Sequence, residues 1–155
     1  MNLNDPKYSK YALVREMMEA PGIIRAFDPK VSERFVKPLK AKKGLFLTGE
    51  GSSRLFPAKR AIYSSLKKDF LIPIVTEGCT QAREYNLSDY AVFASSNSGQ
   101  TKEVIRLINV LRGKGHDAIF GLTANKNTRL EEAANDTHVL SCGKEEAVAA
   151  TKSVI

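Results

Sequence analysis

The sequence predicts an α/β protein in which helices cover both faces of a parallel sheet. From residue 44 onward, short apolar runs alternate with amphipathic helical patterns, and most of the apolar runs end in polar loops. Alternating strands and helices are typical of parallel sheets, because a parallel crossover needs a helix-sized connection. The chain of 155 residues is about one domain long, and its 43% apolar content is enough for a buried core.

The first 40 residues stand outside this alternation and are expected to form a helical arm. Three helices are expected in it, over residues 8–19, 23–27 and 32–39. Pro21 and Gly22 are predicted to end the first of them. We therefore expect an arm, residues 1–40, that packs on the outside of the domain formed by residues 41–155 or against a partner.

The remaining elements follow in order along the chain. Five strands are expected, over residues 44–48, 70–76, 90–95, 118–122 and 137–140. Helices or helical turns are expected after them, over residues 52–66, 80–85, 100–112, 128–134 and from Glu145 to Ile155. In parallel sheets ligands bind beyond the carboxyl ends of the strands. The expected ligand edge is therefore formed by three loops, residues 48–53, 95–101 and 141–146.

The loop after the third expected strand carries the strongest functional signal. Four hydroxyl residues and a glycine lie within seven positions, in the order Ser95-Ser96-Asn97-Ser98-Gly99-Gln100-Thr101. A helix follows, and its first N–H groups and dipole attract anions such as phosphate. One hydroxyl would be explained by capping that helix. Four hydroxyls are more than a cap requires, so the pattern favours a phosphate site.

The loop after the first expected strand has a similar but weaker pattern. Gly49 and Gly51 permit a close backbone approach, and Ser52 or Ser53 can donate to a ligand. A dinucleotide fingerprint would need a third glycine where Arg54 stands, and the Walker pattern is absent. The sequence therefore matches neither of these nucleotide-binding motifs.

Charge and composition limit the kinds of partner. The net charge of +7 is compatible with nucleic acid or with steering of a small anion, but no nucleic-acid motif accompanies the lysines. We therefore expect no nucleic acid as partner. Cys79 and Cys142 match no metal or redox spacing, so they are expected to be unpaired, partly buried thiols. Without a membrane-length apolar run or a signal peptide, we expect no membrane contact and a cytoplasmic protein.

Three motifs resemble the sugar isomerase (SIS) domain family. They are Gly49-x-Gly51-x-Ser53, Ser96-Asn97-Ser98-Gly99-Gln100-Thr101 and Glu145-x-x-Val148-Ala149-Ala150-Thr151-Lys152. The likeness is greatest to the first of the two SIS domains in glucosamine-6-phosphate synthases, where the second and third motifs read S-Q-S-G-E-T and E-x-x-V-A-S-T-K. The segment Arg15-Glu16-Met17-Met18-Glu19-Ala20-Pro21 also resembles that family's K-E-I-x-E-Q-P.

The resemblance implies a three-layer, flavodoxin-like fold with a five-stranded parallel sheet. It also implies a phosphorylated sugar, a hexose or hexosamine 6-phosphate, as the ligand. By position, the phosphate would be held by the side chains of Ser96, Ser98 and Thr101, by the backbone N–H groups of Asn97 and Gly99, and by Ser52 and Ser53. Val148 would contact the sugar through its backbone, and Ala150 stands where the family has a serine that touches the sugar.

The activity implied is aldose–ketose isomerisation, or deamination or deglycation of an amino sugar, by proton transfer without metal or organic cofactor. Glu145 and Glu146 are the nearest candidate bases, although glutamates in a first helical turn also stabilise the helix. Lys152 is expected either to act electrostatically on the cleft or to face solvent.

Two alternatives to catalysis by this chain alone are a phosphosugar-sensing module and an isomerase whose site is shared between subunits. In the family, the catalytic glutamate, lysine and histidine belong to a second SIS domain. We therefore expect this chain to be the first half of a two-domain protein with a shortened last helix. We expect no glutaminase domain before it, and therefore no release of ammonia from glutamine. Association into a homo-dimer or larger oligomer is also expected.

Overall fold

A computed structural model describes residues 2–154, and it confirms the predicted α/β fold with five parallel strands. The strands are β1 (Gly44–Gly49), β2 (Ile74–Gly78), β3 (Tyr90–Ser95), β4 (Ile119–Thr123) and β5 (Asp136–Val139). The helices are α1 (Ala12–Ala26), α2 (Glu33–Lys40), α3 (Ser52–Lys67), α4 (Cys79–Ala82), α5 (Lys102–Gly113) and α6 (Arg129–Ala133). Short 3-10 turns cover Pro6–Tyr8 and Pro29–Ser32.

The strands lie in the order β2-β1-β3-β4-β5, and every neighbouring pair is parallel. Gly49, the last residue of β1, is in register with Gly78 of β2 and with Ser95 of β3. The carboxyl ends of these three strands are therefore level, and the loops that follow them leave from the same edge of the sheet.

Helix α5 fills the larger core on one face of the sheet. Val104, Leu107, Ile108 and Leu111 are its buried residues, and their spacing places them on one side of the helix. They pack in one cluster with buried residues of three strands, Phe46, Val92 and Ile119. This packing holds the start of α5 at the carboxyl end of β3.

Helix α2 of the arm packs on the opposite face. Its Phe35 is only 7% exposed and meets Phe93 and Phe120 edge to face, with ring centroids 5.4 and 5.3 Å apart. Successive residues of a strand point to opposite faces, so Phe93 lies on the other side of the sheet from Val92. This part of the arm therefore belongs to the helical layer that covers the sheet.

The predicted break at Pro21 and Gly22 is wrong, because α1 runs through both residues. The two residues are exposed. Proline removes one backbone hydrogen bond from a helix, and a local stop signal of this kind is overridden when the rest of the helix is held in place. The contacts that hold α1 come from the far end of the chain and are described below.

Strand β2 begins later than predicted. Phe70 and Leu71 are 55% and 101% exposed and lie before the strand, although their apolar character predicts that they belong to it. Pro73 has no N–H to give to a sheet, but its carbonyl accepts a hydrogen bond from Leu45 N at 2.8 Å. Pairing with β1 therefore starts only at the end of this apolar run.

The helix predicted from Glu145 onward is also wrong for the described residues, since residues 141–154 contain no helix. The Glu145 carboxylate accepts hydrogen bonds from Thr151 N and Ser153 N, and a helix that began at Glu145 would use both of these N–H groups internally. Ile155, the end of the predicted helix, lies outside the described residues.

Candidate functional site

The loop of residues 95–101, between β3 and α5, has a tightly defined backbone. Ser96 N donates to Leu122 O at 2.9 Å, and Gly99 N donates to Ser96 O at 3.0 Å. Gly99 has a φ of 63°, and a Cβ atom there would lie only 2.4 Å from Thr128 Cβ. Only glycine fits this position, because the backbone is left-handed and a side chain packs directly against it.

The hydroxyls of this loop do not cap α5. Thr101 is the N-cap residue, but its side chain makes no hydrogen bond to the first turn. Instead, its Oγ1 lies 2.7 Å from Oγ of Ser96, which is 2% exposed. Two hydroxyls that share one hydrogen bond keep one proton free to donate. Ser98 is exposed, and its Oγ accepts from Gln100 N at 3.1 Å, so its proton also stays available.

The start of α3 lies at the same edge of the sheet. Ser52 and Ser53 are its first two residues, and they follow Gly51, which has a φ of 53° and no side chain with which to cap the helix. A Cβ atom on Gly49 would lie 2.5 Å from Ser95 O, which shows how closely β1 approaches β3 here. Within residues 2–154, no hydrogen bond joins the two serines to the 95–101 loop.

Asn97 joins the 95–101 loop to the C-terminal segment. Its Nδ2 donates to the Glu145 carboxylate and, at 2.7 Å, to Ser153 Oγ. The backbone carbonyl oxygen of Asn97 accepts from Asn125 Nδ2 at 2.9 Å and from Thr123 Oγ1 at 3.1 Å. The side-chain NH2 group and the backbone carbonyl of Asn97 are therefore occupied by protein contacts, which leaves its backbone N–H available to a ligand.

The candidate base Glu145 is fully engaged by hydrogen bonds. Besides the Asn97 amide, the donors are Thr151 N, Thr151 Oγ1, Ser153 N and Ser153 Oγ, at 2.8 to 3.1 Å. Burial alone would raise the pKa of this carboxyl, but hydrogen bonds from Ser153, Thr151 and Asn97 outweigh it and lower the pKa to about 2. A carboxylate in this state is a weak proton acceptor.

The side chains of Glu146 and Val148 are exposed to solvent. The Glu146 side chain is 60% exposed and forms an ion pair with Arg15 at 3.0 Å. The side chain of Val148 is fully exposed. In the part of the chain that the structure describes, neither residue makes a hydrogen bond to residues 95–101. Glu145 is thus the one candidate from the third motif that the fold brings to this loop.

Glu16 in α1 is a residue that sequence reasoning missed. It is 4% exposed, and its carboxylate accepts hydrogen bonds from Glu146 N, from Ala147 N at 3.0 Å and from Thr151 Oγ1 at 2.5 Å. The Thr151 hydroxyl and these backbone N–H groups lower the pKa of Glu16. A signal was present, since Glu16 lies in one segment that resembles the SIS family and Thr151 lies in another. The structure shows that these two segments touch.

The expectation that Lys152 faces solvent is wrong, because its side chain is buried against α1. It is 7% exposed, and its Nζ donates to Glu19 of α1 at 2.8 Å and to Lys144 O at 2.9 Å. The hydrogen bond to Glu19 raises the pKa of Lys152. The lysine thus forms a second contact between α1 and the C-terminal segment.

Thr128 and His116 make contacts within the fold. Thr128 caps α6 in a capping box with Glu131. At the other edge of the sheet, His116 contacts Leu87 O at 2.9 Å through Nε2. His138 is half-buried on β5, and burial and the nearby Arg34 lower its pKa.

Both cysteines are free and buried. Residues 2–154 hold no group of three His, Cys, Asp or Glu side chains arranged for a metal ion. No helix among them has the length and apolar character needed to cross a membrane.

Several solved structures resemble this chain. No protein-family model matches the chain, and no curated protein matches its sequence. Tagatose-6-phosphate ketose/aldose isomerase from Escherichia coli aligns with 94% of this chain and 45% of its own, at a TM-score of 0.76 and 16% identity. The C-terminal domain of glucosamine-fructose-6-phosphate aminotransferase from Francisella tularensis aligns with 97% of this chain and 45% of its own, at 0.70 and 16%.

A regulator has a similar structure. The Vibrio vulnificus NanR protein, complexed with ManNAc-6P, aligns with 97% of this chain and 58% of its own, at a TM-score of 0.67 and 15% identity. The chain spans about half the length of these three structures. At such low identity the similarity shows the fold alone. The chain therefore has the fold of the sugar isomerase (SIS) domain.

Proposed function

We propose that this protein binds a phosphorylated sugar, a hexose or hexosamine 6-phosphate, at the carboxyl edge of its sheet. The observation that carries the proposal is the uncapped start of α5. A 12-residue helix begins directly after a hydroxyl-rich loop, and the Thr101 side chain does not use its capping position. The first N–H groups of the helix and the loop hydroxyls are thus available to the oxygens of one phosphate.

In this proposal the phosphate lies against Ser96, Ser98 and Thr101 and accepts from the backbone N–H of Asn97. Gly99 allows the conformation of the loop but donates nothing to the ligand, because its N–H already donates to Ser96 O. Ser52 and Ser53 complete the site from the start of α3, and the backbone of Val148 contacts the sugar once residues 146–150 close over it. Structures with this fold include a tagatose-6-phosphate isomerase and a regulator with bound ManNAc-6P, which supports a sugar phosphate as the class of ligand.

For the reaction, we propose aldose–ketose isomerisation, or deamination or deglycation of an amino sugar, by proton transfer. Glu145 would have to lose several hydrogen bonds before it could accept a proton, and Glu146 would have to leave its ion pair with Arg15. In a catalytic assembly the base would therefore come from Glu146 after such a movement, or from a second domain or subunit.

The engagement of Glu145 favours a second candidate function. Sugar-phosphate sensing needs a binding site but no base, and this chain provides the loop without a free carboxylate beside it. An isomerase assay separates the two functions. Conversion between a ketose and an aldose 6-phosphate by the purified chain would contradict the sensing function, and tight binding without turnover would support it.

Calorimetric titration tests the binding itself. The ligands are fructose 6-phosphate, glucosamine 6-phosphate, inorganic phosphate and fructose, and the proteins are the wild type, Ser98→Ala, Thr101→Val and the control Ser88→Ala. Ser88 is exposed before β3, at the opposite edge of the sheet. Loss of one hydrogen bond to a charged ligand should weaken binding about tenfold in either loop variant and leave Ser88→Ala unchanged. Equal affinity for fructose, or wild-type affinity in both loop variants, would refute the proposal.

A further inference from the structure

Glu16 connects the N-terminal arm to the segment that follows β5. Its carboxylate is buried at the surface of α1, and all the donors it meets belong to residues 146–151. This segment forms no helix or strand, so its backbone N–H groups have no ladder partners. Its conformation therefore depends on the carboxylates that accept from it.

Thr151 links Glu16 to a second carboxylate. Its Oγ1 lies 2.5 Å from Glu16 Oε2 and 2.9 Å from Glu145 Oε1, and its N donates to Glu145 Oε1 at 2.8 Å. A hydroxyl has one proton to donate, so it can satisfy one carboxylate fully or both in part. The positions of Glu16 and Glu145 are coupled through this single group.

Glu145 in turn holds the 95–101 loop. Its second carboxylate oxygen accepts from Asn97 Nδ2 and from Ser153 Oγ, which lies 2.8 Å away. Asn97 is the loop residue between the two serines that the proposed function assigns to the phosphate. A continuous series of hydrogen bonds thus runs from α1 through Thr151 and Glu145 to the middle of the loop.

We propose that Glu16 is a positioning residue of the ligand site. It does not touch the ligand, and it acts by fixing Thr151 and Glu145, which orient Asn97 and with it the backbone N–H groups of the loop. The inference rests on the proposed function, because it assumes that the 95–101 loop binds the sugar phosphate. In this proposal the N-terminal arm supports the ligand site, although no residue of the arm touches the ligand.

The test uses four variants of the full chain. Glu16→Gln alters the buried carboxylate, Thr151→Val removes the linking hydroxyl at nearly constant shape, and Thr151→Ser restores that hydroxyl. The matched control is Glu33→Gln, an exposed arm glutamate that makes no hydrogen bond to residues 144–153 within the described chain. Two quantities are measured: the affinity for fructose 6-phosphate by calorimetry, and the amide NMR signals of residues 96–101 with the Asn97 side-chain NH2 pair.

We expect Glu16→Gln and Thr151→Val to weaken binding about tenfold, as for one lost hydrogen bond to a charged group. Both should move the Asn97 side-chain signals in the absence of ligand. Thr151→Ser and Glu33→Gln should resemble the wild type in both measurements. A residue with only a structural role would change the unfolding midpoint and leave the loop signals and the affinity unchanged.

Wild-type affinity in folded Glu16→Gln or folded Thr151→Val would overturn the inference. If Glu16→Gln does not fold, Thr151→Val decides alone. Unmoved Asn97 signals in Thr151→Val would also overturn it. The NMR measurement separates this inference from the proposed function, because it is made without ligand. A wild type that binds no sugar phosphate, with signals that still move, would refute the function and leave the coupling of arm and loop supported.

Discussion

Glu145 gives the most direct residue-level prediction, because its pKa is shifted furthest. Hydrogen bonds stabilise its charged form in the folded protein and lower its pKa from 4.5 to about 2. A carboxyl whose folded pKa is lowered adds stability above its unfolded pKa, and this contribution disappears as the pH falls towards the folded pKa. The free energy of unfolding should therefore decrease between about pH 4.5 and pH 2.

Urea unfolding at several pH values measures this dependence. Glu145→Gln should reduce the slope of stability against pH in that window. The pKa of Glu16 is lowered too, so part of the slope should remain in the single variant. Identical slopes for the wild type and Glu145→Gln would show that the carboxylate is not held as described.

Gly99 provides a second test at the scale of a residue. An alanine there would place its Cβ 2.4 Å from Thr128 Cβ, in a backbone with a φ of 63°. We expect Gly99→Ala to lower the free energy of unfolding by about 1–3 kcal/mol, and to weaken ligand binding because the loop must shift. Chemical denaturation measures the first effect.

Gly113→Ala is the matched control, since a Cβ there would meet nothing within 4 Å. The control should change stability by less than about 1 kcal/mol. Similar effects of the two substitutions would contradict the close contact between Gly99 and Thr128.

At the scale of elements, α1 carries two helix-breaking residues in its interior. A Cβ on Gly22 would have no neighbour within 4 Å, and its φ is not left-handed. Gly22→Ala should therefore raise the free energy of unfolding by about 0.5–1 kcal/mol, because alanine loses less backbone entropy in a helix. Urea denaturation measures the gain. A loss of stability would mean that α1 is interrupted at Gly22, as the sequence alone predicts.

Local patterns predicted the elements whose signals are local. The bounds of β3 were predicted correctly because its apolar run ends abruptly at polar residues. The last helix was predicted wrongly because Glu145 accepts from Thr151 N and Ser153 N, which a helix would use internally, and because Glu16, 135 residues before Thr151, binds the Thr151 hydroxyl. No local pattern contains such a contact.

The same distinction separates the two halves of the candidate site. Ser96, Ser98 and Thr101 lie within six positions and were recognisable as a group. The role of Glu16 depends on α1 packing beside the C-terminal segment, which only the folded chain shows. The direction of the Asn97 side chain, away from the ligand position, likewise follows from its partners Glu145 and Ser153.

At the scale of the molecule, α3 exposes an apolar stripe that we expect to mediate self-association. Leu55, Tyr63 and Leu66 are 43%, 51% and 77% exposed and share one side of the helix. Phe70 and Leu71 extend this surface beyond the end of α3. Exposed apolar surface of this kind is typical of an interface.

Sedimentation of the wild type across a range of concentrations should therefore reveal dimers or larger oligomers. Leu66→Glu should shift the distribution towards monomers, since a charge would be buried in the interface. Glu132→Gln is the control, because Glu132 is exposed on α6, which packs on β4 and β5, whereas α3 packs on β1 and β2. It should leave the distribution unchanged. A wild type that is monomeric at every concentration would contradict the expectation.

Binding of a sugar's phosphate by the 95–101 loop can be observed by amide NMR during a titration with fructose 6-phosphate. We expect the largest shifts at residues 96–101 and smaller shifts at Ser52 and Ser53. Unphosphorylated fructose should cause neither set of shifts. Shifts confined to the opposite edge of the sheet, around His116, or no shifts at all, would contradict phosphate binding by this loop.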